Sequence, residues 1–192
     1  GSSLDTEVLS PAPNFPESVF ENISISLNGV NINDHGRGYN FKSFINKNLG
    51  IDKATKGSTL LANYWTDDML ESEIKIENDT LSTGFNGRST LIEKSRDVFF
   101  MFAPMIDILT TERYLPPRSQ LKIELERGSI NMCLLSPDQN LNPKIQVLEI
   151  NMSARRFTPN NKICLEHEKR FFGGAGIVLP FTRSTIRYRT LH

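Results

Sequence analysis

Cysteine is scarce in this chain of 192 residues: only Cys133 and Cys164 occur. That excludes a disulfide framework and suits a reducing compartment, or a core large enough to hold without bridges. Both lie in apolar-rich runs and read as small buried hydrophobes, and nothing in their spacing supports a disulfide between them. Charge of one sign is also missing, since 22 Lys and Arg face 22 Asp and Glu. This argues against a polybasic nucleic-acid binder and against an acidic tail, although a neutral total can hide a local patch. Long apolar runs are absent as well. Val98 to Ile106 is the longest, far below the roughly 20 residues that cross a bilayer, so no membrane partner is expected. No signal peptide opens the chain, and Gly1-Ser2-Ser3 reads as the remnant of a cleaved tag. Metal ligands are few. The three histidines, His35, His167 and His192, are scattered without HExxH spacing, and Asp67, Asp68, Glu71 and Glu73 lack EF-hand spacing and read as a solvated face. There is no Gly-x-Ser-x-Gly elbow. Gly173-Gly-Ala-Gly176 is followed by Ile177-Val-Leu-Pro180, strand-like rather than the start of a helix, so a turn is expected there and not a phosphate cradle. No catalytic group, metal or cofactor is expected, and the chain reads as a non-enzyme.

What the sequence does contain is short-period alternation. With 38% hydrophobic and 23% charged residues it is globular, and a single domain of this length can bury roughly 70% of its unfolded surface. Residues 1–16, polar and carrying Pro11, Pro13 and Pro16, read as an extended arm, and residues 17–192 as one domain. Asn22-Ile-Ser-Ile-Ser-Leu27 alternates strictly, Asn28-Gly29 supplies the positive φ angles of a type I′ turn, and Val30-Asn-Ile32 resumes the pattern: a hairpin. Two helices are expected next. Phe41, Phe44, Ile45 and Leu49 share one face, with Gly50 as a stop. Ser58 can cap a second helix carrying Leu61, Tyr64, Trp65 and Met69. Both stripes are expected to face the core.

From Glu73 the period is two. Glu73 to Glu77 and Leu121 to Glu126 alternate, and Val98 to Ile106 is apolar on both faces, as in a central strand. Lys144 to Met152 changes phase near Val147-Leu148, which a bulge would repair. Runs near Ile130–Leu135, Ile163–His167, Ile177–Pro180 and Ser184–Leu191 complete a set of short strands. The expected fold is all-β, a two-sheet antiparallel sandwich with one or two short helices in an early loop. In its last strand Arg183, Thr185, Arg187 and Arg189 share a face, near Lys169 and Arg170. Arg183, Arg187 and Arg189 are therefore a candidate stripe for an anionic partner such as nucleic acid, the rival being arginines that guard a sheet edge.

Several segments in order resemble the major capsid proteins of Polinton (Maverick) elements and related double-jelly-roll viruses. Val19-Phe-Glu-Asn-Ile-Ser-Ile-Ser-Leu-Asn-Gly29 is similar to the family's early hairpin, and Tyr39 to Ile45 to the helix after it. Asn86-Gly-Arg88 and Ser95 lead into the apolar run. Arg113-Tyr-Leu-Pro-Pro-Arg-Ser-Gln-Leu-Lys-Ile-Glu-Leu-Glu-Arg127 is the most specific piece. Lys144 to Phe157 and Leu179-Pro-Phe-Thr-Arg183 are similar to the closing part of the first jelly roll. The family's opening strand and second jelly roll have no counterpart, and Pro116-Pro117 replaces a more flexible turn. A chain cut short and a shortened gene kept by a host both fit the first two of those departures. The resemblance implies a jelly-roll shell protein of the virion, or of a host nucleus or cytoplasm, that self-associates, as trimers in a capsid. The alternative is a host-captured jelly-roll module that binds a protein partner along a sheet edge, or nucleic acid.

Overall fold

The computed structural model describes residues 8–33, 37–66, 83–109, 111, 113–117, 119–138, 140–174, 176, 178–184 and 186. The expected Glu73–Glu77 strand, Met69, the acidic run 67–73, His35, His192, Arg187 and Arg189 lie outside them.

The hairpin forms as its sequence dictates. Strand β2 (Phe20–Leu27) and strand β3 (Val30–Asn33) pair antiparallel, and the turn residues Asn28 and Gly29 take φ of 51° and 82°. Two consecutive positive φ values are the type I′ geometry that matches strand twist. The expected Leu121–Glu126 strand also forms, as β4 (Leu121–Arg127), and pairs with β2, giving the order β3-β2-β4. Ile23 and Ile25 of β2 are fully buried. Ile123 and Leu125 stand opposite them in register.

The all-β sandwich is not what the chain builds. Among the described residues the strands make one two-stranded and one three-stranded sheet, and five α-helices accompany them. The second sheet pairs β1 (Ser10–Pro11) with β5 (Leu134–Leu135). Val8 to Pro16, expected as an arm, instead contributes some of the most buried residues: Ser10, Pro11, Asn14 and Pro16 are sealed from solvent. Helix α1 (Phe15–Ser18) continues directly from it. Phe15 anchors the core by edge-on contact with Phe100 at 5.6 Å and Tyr64 at 6.4 Å, a favoured aromatic arrangement.

Two strand expectations fail because alternation orients side chains while a ladder needs a partner, a third run is helical, and a fourth pairs only at its end. Val98 to Ile106 forms no ladder among the described residues. Phe100 and Phe102 pack inward while Phe99 is 90% exposed, so the run is one-sided rather than a covered central strand. Lys144 to Met152 likewise forms no ladder, and Val147 and Leu148 are both exposed. The Ile130–Leu135 run is a 3-10 turn, Ile130–Met132, before β5. The Ile163–His167 run lies within helix α5 (Asn161–Phe172), whose N-cap Asn160 accepts from the Lys162 N–H. Gly173 and Gly174, the latter at φ 76°, close that helix. Glycines at a helix C-terminus present carbonyls, not amides, so no phosphate cradle exists there.

The first helical expectation is right in place and wrong in face. Helix α2 spans Tyr39–Gly50. Its buried side is Tyr39, Asn40, Lys42, Ser43 and Lys47, whereas Phe41, Phe44 and Ile45 are exposed and Leu49 is 85% exposed. The second expected helix is replaced by α3 (Lys53–Lys56), capped by Asp52 through the Thr55 N–H, and a 3-10 turn at Thr59–Asn63. Tyr64 at φ 56° stops the turn, and Ser58 caps nothing but bonds back to the Ala54 carbonyl at 2.9 Å. The remaining helix, α4 (Thr83–Ile92), lies against β1.

Candidate functional site

Two buried lysines explain the inverted face of α2, and with the buried Arg88 of α4 they hold the N-terminal half together. Lys47 extends its Nζ to within 2.9 Å of Glu17 Oε1, an ion pair in distance but off the direction of a hydrogen bond. The same Nζ donates to Asn14 Oδ1 at 2.6 Å. Asn14 donates in turn to Ser43 Oγ at 2.9 Å and to Glu17 Oε2 at 3.3 Å. With its amide oriented to satisfy both ends, Asn63 accepts from Lys47 Nζ at 3.3 Å and donates to the Met101 carbonyl. Burial pushes the Glu17 carboxyl up, against the lowering pull of Lys47. Desolvation dominates because the site is sealed.

The second cation, Lys42, donates to both oxygens of Asp107 at 3.0 Å and to the Ser184 carbonyl at 3.3 Å. Asp107 also accepts from the Ser184 N–H at 2.9 Å, which ties the C-terminal segment to α2. The third, Arg88 of α4, is 1% exposed. It donates to the Pro11 carbonyl at 2.7 Å and to the Thr66 carbonyl at 3.3 Å, and also meets the Thr66 hydroxyl. Tyr39 is sealed, its hydroxyl accepting from the Met105 N–H at 3.1 Å, and burial drives its ionisation far up. Each of these groups is matched by a structural partner, so they act as fasteners.

None of the sequence candidates for chemistry gathers into a site. Arg183 is exposed, and its expected companions Arg187 and Arg189 lie outside the described residues. His167 sits on α5 between Glu166 and Glu168, and among the described residues no three His, Cys, Asp or Glu side chains converge as metal ligands. Cys133 and Cys164 are both free thiols. Cys133 is buried, with its thiol pushed up to about 11 by burial, while Cys164 is half-buried. Among the described residues no helix is long and apolar enough to cross a membrane.

The unusual surface is apolar, and sequence reasoning did not find it. Among the described residues every buried hydrophobic residue lies at or before Leu134. Beyond it, eleven large apolar side chains are exposed: Val147, Leu148, Ile150, Met152, Phe157, Ile163, Leu165, Phe171, Phe172, Val178 and Phe181. Helix α5 buries none of its residues. Phe157 stacks on Tyr114 at 5.5 Å, and both rings face solvent. Where this half meets the sheet, a groove of about 540 Å³ opens between Phe20, Leu125 and Arg127 on one side and Ile145, Val147 and Ile150 on the other. Arg127 bridges its walls by donating to the Ile145 carbonyl at 3.0 Å. The alternation of Lys144 to Met152 was the available signal. It was spent on an expected intramolecular strand. No protein-family description, curated protein or solved structure matches this chain.

Proposed function

We propose that this chain is a non-catalytic structural subunit that acts by assembling with further copies of itself, as its likeness to shell-building capsid proteins implies. The reading does not require a jelly roll. The observation that carries it is where the core ends: among the described residues every buried hydrophobic residue lies at or before Leu134, while of the twenty-three exposed large apolar side chains eleven lie beyond it with no buried one among them. Monomers scatter single exposed hydrophobes, but extended apolar surface marks contact with another protein. Helix α5 adds to this, because an isolated helix of 12 residues is marginal in water and gains its stability from a packed face.

The magnitudes are consistent. Burial of a large apolar side chain contributes roughly 1.5 kcal/mol when it starts about half exposed. Association costs about 4–15 kcal/mol in lost freedom. Covering only a few of the eleven leaves little net affinity, so assembly has to cover most of them. Neutral total charge favours this, since copies do not repel at a distance.

Sedimentation equilibrium over micromolar to submillimolar concentration tests the proposal. The weight-average mass should climb above the 21.7 kDa of one chain, and Phe171→Ser with Phe172→Ser should shift the climb to higher concentration. A single 21.7 kDa species throughout overturns it.

A further inference from the structure

The three-stranded sheet has two edges, and they are not alike. On one side β3 is four residues long, with a register shift opposite it between Ile25 and Ser26. Short, irregular edges resist pairing. On the other side β4 runs seven residues without proline, and the only register shift along it lies at its end, opposite Phe20 to Asn22. The Asn28 N–H donates to the Gln120 carbonyl at 2.9 Å, which sets the phase of the β2–β4 ladder. Counting from that bonded pair, Lys122, Glu124 and Glu126 turn their backbone groups to β2, and those of Leu121, Ile123 and Leu125 point away from it. Among the described residues no backbone group pairs with this outer edge.

We infer that the outer edge of β4 is a self-pairing site that takes β4 of a second copy, antiparallel, with Ile123 opposite Ile123 across a two-fold axis. The sequence of the strand selects this register. It sets Lys122 of each copy opposite Glu124 of the other, twice, in the closely spaced pairs where facing Cβ atoms lie about 4.5–5.5 Å apart. It also sets Leu121 opposite Leu125. Shifting the axis to Glu124 brings two carboxylates face to face, and shifting it to Lys122 brings two ammonium groups together. Both side chains stand in solvent, 65% and 55% exposed for Lys122 and Glu124, within a local ion pair of 2.6 Å. A local pair of that kind is easily exchanged for cross-strand pairs, because exposed ion pairs contribute little. About six backbone hydrogen bonds would close the edge, giving one six-stranded sheet across two copies. The groove beside Leu125 and Arg127 then adjoins the incoming strand. A closed two-fold contact of this kind is the commonest route to a homodimer.

This inference rests on the self-association reading, naming the first contact of that assembly, and charge reversal separates the two. Lys122→Glu and Glu124→Lys each turn two attractive pairs into two repulsive ones. Each should weaken dimerisation on the order of tenfold, with the circular dichroism spectrum unchanged because both sites are exposed. Mixing the two variants in equal amounts restores opposite charges in both pairs and should recover affinity near that of the natural chain, as a heterodimer. Analytical ultracentrifugation of the natural chain, each variant and the mixture reads this directly. If the natural chain associates but both single variants associate equally well, or if the mixture stays as weak as the variants, the β4 pairing is wrong and self-association stands. A natural chain that never associates overturns both.

Discussion

Replacing Lys47 with Met should destabilise the fold more than almost any other single change, and the reason lies in what the ammonium leaves behind. Met keeps the volume of the aliphatic stem. Glu17, fully buried, loses the cation 2.9 Å away, and Asn14 Oδ1 loses its 2.6 Å donor. Removing one partner of a buried pair costs about 3–5 kcal/mol, because the remaining charge is stranded. For a chain of this size each kcal/mol moves Tm by about 2–4 °C, so Lys47→Met should melt roughly 6–20 °C lower. The double variant Glu17→Gln with Lys47→Met removes both charges and should recover at least about 1 kcal/mol of that loss. Urea denaturation of both variants beside the natural chain measures this.

The same site fixes the sign of a pH dependence. Burial outweighs Lys47 and raises the Glu17 carboxyl above its ordinary 4.5. The folded chain therefore holds a proton there at pH values where the unfolded chain has lost it. Its contribution is fully present below 4.5 and is lost as pH rises through the folded value, opposite to a carboxylate stabilised in its charged form. Without Lys47 the carboxyl titrates higher still, so the deficit of Lys47→Met should shrink as pH falls from 8 to 5. A Lys47→Met variant within about 1 kcal/mol of the natural chain, a double variant no better than the single, or a deficit that grows on acidification would each refute the reasoning.

Arg88→Met should cost about 3 kcal/mol by stranding the buried Pro11 carbonyl and freeing the Thr66 carbonyl, and should speed proteolysis near Leu9; urea denaturation within about 1 kcal/mol of the natural chain would show that Arg88 does not anchor the N-terminal segment. In the native protein at pH 8, a thiol reagent should label half-buried Cys164 well before Cys133, whose buried thiol ionises only near 11; equal labelling by mass spectrometry would contradict that burial. Gly29→Val should cost about 1–2 kcal/mol through its positive φ alone, since no atom lies within 4 Å of an added Cβ, while Gly29→Asn should cost less. Equal thermal melts for the two variants would mean that the turn is not held in the left-handed region.

Local features were legible in the sequence where local physics decides them. Asn28-Gly29 fixes a type I′ turn through two φ angles, and the residues around it needed no knowledge of the rest of the chain. Helix α5 was legible too and was misread: Asn160 as a cap, then Glu166 and Glu168 ahead of Lys169 and Arg170, is a helix signature, but the apolar pair Ile163 and Leu165 was taken for a strand. The face of α2 was not legible. Hydrophobic periodicity assumes that the buried side is apolar, whereas here Lys42 and Lys47 point inward because Asp107 and Glu17, 65 and 30 residues away in sequence, supply the counter-charges. No pattern within the helix carries that information.

The failed strands follow from the same distinction between local and distant causes. Period-two alternation favours an extended backbone in Leu121 to Arg127, Val98 to Ile106 and Lys144 to Met152. Whether such a run enters a sheet depends on a second run arriving at its edge. Only Leu121 to Arg127 finds one, because the hairpin carries β2 to it. An extended segment that keeps its alternation but lacks a ladder holds unspent hydrogen-bonding capacity and apolar surface together. Among the described residues no second run pairs with these segments, and on the proposed reading another copy satisfies both. That is why the outer edge of β4 and the exposed surface beyond Leu134 belong to one argument: the described residues hold more alternating sequence than their two sheets use, and on the proposed reading a second copy brings the strands that match.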